Sequence, residues 1–218
     1  MKWQEYAYIL IIFASIIYII LITLAMILSP EHSFFSNLIS DLGRTETYSG
    51  ESNMISRVLF LTAMSIFGIF VAFLFLALPY HFKENALQKR LSRIGSVCGV
   101  ISGIAFIGLG STPSDLFHIP HIFFQVICIS LVLLGTALYI ILIYLKEDYP
   151  NRYAYELLIF AISLGFIGFL MAFAPILYTV WGILEAPVIL KVLVYIWAFS
   201  YSFLGYGALK LYRSNRGT

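Results

Sequence analysis

Residues 6–28 read YAYILIIFASIIYIILITLAMIL, 23 residues without a charge. At a helical rise of about 1.5 Å per residue this run spans roughly 35 Å, more than the ~30 Å of hydrocarbon in a bilayer. It is longer than the apolar core of a cleaved secretory signal and lacks a convincing small-x-small site behind it, so it reads as a retained membrane span. Working outward, five more runs follow the same rule: 58–80, 94–111, 121–145, 157–174 (extending toward Trp181) and 188–209. The composition agrees. Of the 218 residues 61% are hydrophobic and only 11% charged, which excludes a water-soluble globule, a disordered chain and a coiled coil. The expected fold is an all-α bundle of six transmembrane helices forming a single domain over 1–218, in an integral, multi-pass cell-membrane protein.

The charges orient it. With the N-terminus in the cytoplasm, Lys2, Lys83, Lys89, Arg90, Arg93, Lys146, Arg152, Lys210, Arg213 and Arg216 lie inside, ten of the 13 basic residues. Only Arg44, Arg57 and Lys191 fall outside, and an even number of spans returns the C-terminus to the cytoplasm. The formal net charge of +2 offers no argument for a nucleic-acid partner. Cys98 and Cys128, counted from opposite faces, should differ by roughly 10 Å in height and stay unpaired.

Gly95, Gly99 and Gly103 recur every four residues in the third span, a stripe that lets another helix backbone approach closely. Ala161, Gly165, Gly168 and Ala172 repeat the pattern more weakly in the fifth. Such seams serve packing within the bundle or assembly into a homo-oligomer. Trp181 and several tyrosines near span ends read as interfacial belts.

Polar groups near lipid are costly, so those at depth are functional candidates. No span centre carries Asp, Glu, Lys, Arg or His, which weighs against an ion pump and leaves a small-solute transporter as a third reading. Glycine-rich phosphate loops, a Gly-x-Ser-x-Gly elbow and a Cys-x-x-Cys pair are absent from the sequence. The candidates gather instead in two outer loops. In the first, residues 29–57, Phe34, Phe35, Leu38, Ile39 and Leu42 suggest a short amphipathic segment ended by Gly43, with Asn37, Ser40 and Asp41 on its other face. In the second, Asp115 and His118 precede Pro120, which suits the first turn of the fourth helix, and His121 follows, with Gln125 one turn deeper.

Two readings of these residues stand. In one, Asp41, His118 and His121 are acid/base groups or ligands of a divalent metal such as zinc, with Asn37, Ser40, Asp115 and Gln125 around them. Three ligands and an open water position would then hydrolyse an ester or amide of a lipid headgroup. In the other, Asp41 and Asp115 cap short helices or pin loops, and the histidines bind backbone or water. Glu185 and Lys191, at the outer start of the sixth span, pair with each other, or Lys191 snorkels to water. Glu156, at the inner start of the fifth, reads as solvated.

The segment Phe35-Ser36-Asn37-Leu38-Ile39-Ser40-Asp41-Leu42-Gly43 resembles the Ser-Asp-Leu-Gly signature of the domain-of-unknown-function family 998, multi-pass proteins of archaea and bacteria. Gly108-Leu109-Gly110-Ser111-Thr112-Pro113-Ser114-Asp115, followed by His118 and His121, is similar to that family's segment between its third and fourth spans. The resemblance implies a six-span layout with a site at the outer loops. The stretch between Gly43 and Met54 departs from the usual pattern in being long and polar. A more distant likeness, through Ile39-Ser40-Asp41 and a following acid, Glu46 or Glu51, is to the Frag1/DRAM/Sfk1 group, and it implies lipid-related work. Together these support recognition or modification of a lipid headgroup, with membrane lipids as partners, and as the alternative a non-enzymatic membrane scaffold.

Overall fold

The computed structural model describes residues 2–181 and 186–217, without the side chains of 167, 170–181, 186, 216 and 217. Six helices follow one another: α1 (Trp3–Leu28), α2 (Met54–Ala77), α3 (Ala86–Ser111), α4 (His118–Tyr144), α5 (Arg152–Trp181) and α6 (Ala186–Gly217). Two 3-10 turns, Ile39–Gly43 and Leu78–His81, are the other named elements among the described residues. By length and composition five of the helices can cross a membrane: α1, α2 with its 3-10 extension, α3, α4, and residues 187–215 of α6. Each helix packs on the next in sequence and α6 returns to α1, closing a ring.

Several helices begin or end well outside the apolar runs. α3 starts at Ala86, eight residues before the uncharged stretch, because the Asn85 side chain accepts a hydrogen bond from the Gln88 amide at 2.9 Å and caps the helix there. Lys89, Arg90 and Arg93 therefore ride on helix rather than loop. Charge ends an apolar run, but a cap or a proline ends a helix. α4 starts at His118, with Pro120 in its first turn as expected.

The glycine stripe of α3 is filled by the chain's own helices. A Cβ on Gly99 would stand 1.9 Å from the Phe75 ring, one on Gly103 would stand 2.5 Å from the Gly68 carbonyl oxygen, and one on Gly95 would stand 3.0 Å from Tyr139. At Gly165 and Gly168 of α5 nothing lies within 4 Å, so the second stripe is not a seam among the described residues. Beside the α3 glycines, the Tyr139 hydroxyl donates to the Ser92 carbonyl at 3.0 Å and shares a hydrogen bond with Ser96 at 2.9 Å. This answers polar groups that lipid could not.

Much of the aromatic richness is core rather than belt, and the side chain of Trp181 lies outside the described residues. Phe67 stacks on Tyr18 with centroids 4.5 Å apart and meets Phe106 edge-on, and Phe106 meets Trp197 at 4.7 Å. At the end opposite the long loop, Tyr8 stacks on His81 and Phe82 on Tyr149, all of them buried. Rings joining three or more helices supply contact area where no hydrophobic effect separates helix from lipid. Cys98 and Cys128 are buried free thiols. Glu156 is not simply solvated, since one of its carboxylate oxygens is enclosed. Glu185 lies outside the described residues.

Candidate functional site

Chain 29–53 folds over one end of the bundle, and its own side chains hold its shape. Asn53, buried just before α2, does not cap that helix. Its amide donates to the carbonyls of Asp41 (3.2 Å), Leu42 (3.4 Å) and Arg44 (3.2 Å), while its oxygen accepts from the Ser29 hydroxyl at 2.8 Å. Ser56 donates to the Leu42 carbonyl at 3.1 Å. Farther along, Glu46 and Ser52 form an antiparallel bridge around a turn whose Gly50 has φ +87°, a left-handed conformation that favours glycine.

The amphipathic helical segment expected here is absent. Only Ile39–Gly43 is helical, as a 3-10 turn, and Phe35 is 75% exposed while Leu42 is 0%. Gly43 does close the turn, but with an ordinary φ; a side chain at that position would sit 2.8 Å from the Phe60 ring, so its smallness is what the fold uses.

Lys191 does not snorkel. Its side chain is wholly buried, and its ammonium donates to the carbonyls of Ser33 (3.1 Å), Phe34 (2.6 Å) and Asn37 (2.6 Å). It is the fastening between α6 and the loop, a role its position at the start of an apolar run could not reveal.

The sequence candidates separate into three places. Asp41 folds back on its own loop: one oxygen accepts from the Leu38 amide at 2.8 Å and the other from the Tyr48 hydroxyl at 3.0 Å. Asn37 accepts from the Ser33 amide at 2.7 Å. Both line a polar pocket of about 230 Å³ with Glu31, His32, Arg44, Tyr48 and Asn53. The Nε2 of His32 is enclosed without a hydrogen-bond partner. Burial, aided by the charge of Lys191 and opposed by Asp41, pushes the His32 pKa down to about 4. Burial first, and then the Asp41 charge, raises the pKa of Tyr48.

Asp115 ties the second loop to the first. One of its oxygens accepts from the Thr45 amide at 2.8 Å and from the Thr45 hydroxyl. Partial burial opposes ionisation, yet these bonds hold its carboxyl below the usual range.

Ser40, His121 and Gln125 face a different space, a cavity of about 130 Å³ inside the bundle whose walls include Tyr18, Phe60, Met64, Phe106, Leu193 and Trp197. His121 is 4% exposed and its Nδ1 lies 2.7 Å from the Thr112 carbonyl oxygen. A carbonyl only accepts, so Nδ1 carries a proton, and in the neutral ring Nε2 is left as a bare acceptor. That Nε2 is enclosed and unpartnered. His118, by contrast, is exposed at the start of α4.

The expected three-ligand set is therefore not assembled. Asp41 and His121 line different spaces, His118 faces out, and among the described residues no three of His, Cys, Asp and Glu stand close enough to hold a metal ion. Adjacent residues Ser40 and Asp41 diverge because a 3-10 turn rotates the chain by about 120° per residue. Sequence reasoning passed over Asn53, His32, Tyr48 and Trp197. Of these only Asn53, a polar residue directly before an apolar helix, carried a local signal, and that signal pointed to the wrong role.

The sequence model of a family described as "Protein of unknown function (DUF998)" matches residues 12–204. It says nothing of the Frag1/DRAM/Sfk1 group. No curated protein and no solved structure matches the chain.

Proposed function

Since the chain belongs to the DUF998 family, whose function is unknown, we propose from its geometry that it is an integral membrane protein that binds a membrane amphiphile in the cavity beneath the loop. In this reading six helices span the bilayer, with residues 157–174 of α5 as the fifth span and both termini in the cytoplasm. The basic residues support the orientation, because only Arg44, Arg57 and Lys191 belong to the loop-covered end. That end then faces outward.

The observation that carries the proposal is a mostly apolar cavity into which His121 presents an unpartnered Nε2, beside Ser40 and Gln125. A buried acceptor without a donor costs about 1–3 kcal/mol, so a ligand bearing a hydroxyl or amine would gain by supplying one. At about 130 Å³ the space suits a short hydrocarbon segment or a ring rather than a whole lipid. The partner is then an amphiphile that inserts one part and leaves the rest in the membrane, its polar group at headgroup depth against Ser40, His121 and Gln125. The reading is one of recognition, not of metal-assisted hydrolysis, because Asp41 is held by the Leu38 amide and the Tyr48 hydroxyl, His118 is exposed, and neither lines the cavity with His121. Self-assembly through the α3 glycines forms no part of it, since α2 and α4 fill that seam.

Mass spectrometry of lipids retained by the purified protein tests this. His121→Ala should weaken retention about tenfold, the effect of one lost hydrogen bond. Val194→Trp, which fills the cavity from a half-buried wall position, should abolish it. Equal retention by both variants and the parent would sink the proposal.

A further inference from the structure

We propose that the seam between α2 and α3 holds an anionic phospholipid, its phosphate in a basic pocket at the end opposite the loop and one acyl chain in a groove beside Gly68 and Gly103. The inference rests on the membrane-spanning reading but not on the cavity, which lies at the other end of the bundle.

The pocket, about 120 Å³, lies between Pro79, Phe82 and Lys83 on one side and Lys89, Ser92 and Arg93 on the other. Lys83, Lys89 and Arg93 are exposed, and none forms an ion pair among the described residues. The nearest carboxylate in sequence, Glu84, is already taken by Lys146, and its other oxygen accepts from Gln88 at 3.3 Å. Three cations therefore share one concave site without an acid to balance them. Arginine and lysine around a small pocket are the donor set that a phosphate recognises.

The position of the pocket selects a lipid over a free anion. Lys89, Arg93 and Val97 succeed one another at i, i+4, i+8 on one face of α3, and Val97 is 58% exposed, followed by Ile101 and Ile104. The face passes from charge to bare hydrocarbon within a turn, as the headgroup boundary requires. Farther along the same two helices runs an apolar groove of about 180 Å³ between Ile69, Ala72, Phe73 and Leu76 of α2 and Ile104 and Ile107 of α3. It exists because the helices come closest at two glycines: a Cβ on Gly68 would stand 2.4 Å from the Gly103 carbonyl oxygen, and neither residue has a side chain to fill the outer side of the crossing. From Arg93 to Gly103 is ten residues, or about 15 Å, half the hydrocarbon thickness of a bilayer. Pocket and groove are thus one leaflet apart in depth, the separation of a phosphate from the end of its acyl chain.

The test is native mass spectrometry of the whole protein in detergent with phosphatidylglycerol or phosphatidylcholine, alongside Lys83→Gln/Lys89→Gln/Arg93→Gln and, separately, Ile104→Trp in the groove. Phosphatidylglycerol should be retained in preference, lose roughly 100-fold in the triple variant at about fivefold per charge, and weaken in Ile104→Trp. All four positions are exposed, so an unchanged melting temperature is expected. Equal retention of the two lipids, or no loss in the triple variant, overturns the proposal. So does binding of inorganic phosphate that displaces the lipid while Ile104→Trp has no effect, since the site would then hold an anion alone. His121→Ala should leave this binding unchanged, which separates it from the cavity.

Discussion

Lys191 and Lys146 are both buried, 0% and 5% exposed, at opposite ends of the molecule, and they are held in different ways. Lys191 reaches from α6 to three backbone carbonyls of the loop. Lys146, just beyond α4, pairs with the carboxylates of Glu84 and of Asp148, the latter at 2.8 Å, both of which face water. Burial would depress the lysine's pKa, but these two partners raise it, and Lys146 in turn lowers that of Glu84. The loop-covered end thus uses Lys191, Asn53 and Asp115 largely on its own backbone and leaves one ring nitrogen each of His32 and His121 without a partner. The opposite end pairs its acids with cations, Glu84 and Asp148 with Lys146 and the buried Glu5 with Arg213, and leaves Lys83, Lys89 and Arg93 without a carboxylate partner among the described residues. A polar group consumed by the fold is a structural part, whereas one left over at a concave surface is available to a ligand.

The largest effect that would break this contrast is expected from Lys191→Met. Three carbonyls would lose a charged donor and the loop its fastening, at a cost of about 3 kcal/mol. A thermal melt of the purified protein should show the drop, and limited proteolysis should cut near 33–37; an unmoved melting temperature would remove Lys191 from this role. Asn53→Ala should follow, at about 2 kcal/mol, because its amide serves the carbonyls on either side of Gly43.

A pH-dependent effect comes next. The folded-state pKa of His32, about 4, lies below the ordinary 6.5, so below pH 6.5 the unfolded chain takes up a proton that the folded one refuses. Stability is therefore complete above that value, falls as pH drops toward 4, and levels off below. The half-buried ring warrants on the order of 1 kcal/mol after solvent screening. Hydrogen exchange of the loop amides at pH 7 and pH 5 should register it, and His32→Gln should flatten the difference. Smallest is Lys146→Met, expected below 1 kcal/mol because its carboxylate partners simply return to water. Salt of about 0.5 M should mask that variant's effect and leave the effect of Lys191→Met in place, since Glu84 and Asp148 face water and are screened, whereas the carbonyls on Lys191 carry no net charge.

Much of the fold was legible because hydrocarbon admits few solutions. An uncharged run long enough to cross a bilayer must satisfy its backbone internally, and α1 needs no more than residues 6–28 to be recognised. The glycine stripe of α3 was equally plain as a place of close approach, although which helix fills it was not. Helix ends were less legible. Lys89, Arg90 and Arg93 interrupt hydropathy without interrupting hydrogen bonding, and the start of α3 depends on one side-chain bond from Asn85. Lys191 was misread for a related reason: the three carbonyls that justify its burial lie more than 150 positions earlier in the chain.

The site was legible in location and not in grouping. Ser40, Asp41, Asp115, His118 and His121 do collect at one end, as the two loops required. Their division into a mostly apolar cavity, a polar pocket, a tie between loops and an exposed helix start depends on facts with no local signature. Composition and periodicity by themselves determined that the chain is built of long apolar helices and that its polar groups would have to be accounted for one by one, because lipid leaves no solvent to absorb them. Only the tertiary structure decided which of those groups the fold consumes. That decision turns on direction: a 3-10 turn sends Ser40 one way and Asp41 the other, and a carbonyl at Thr112 leaves His121 with one nitrogen free.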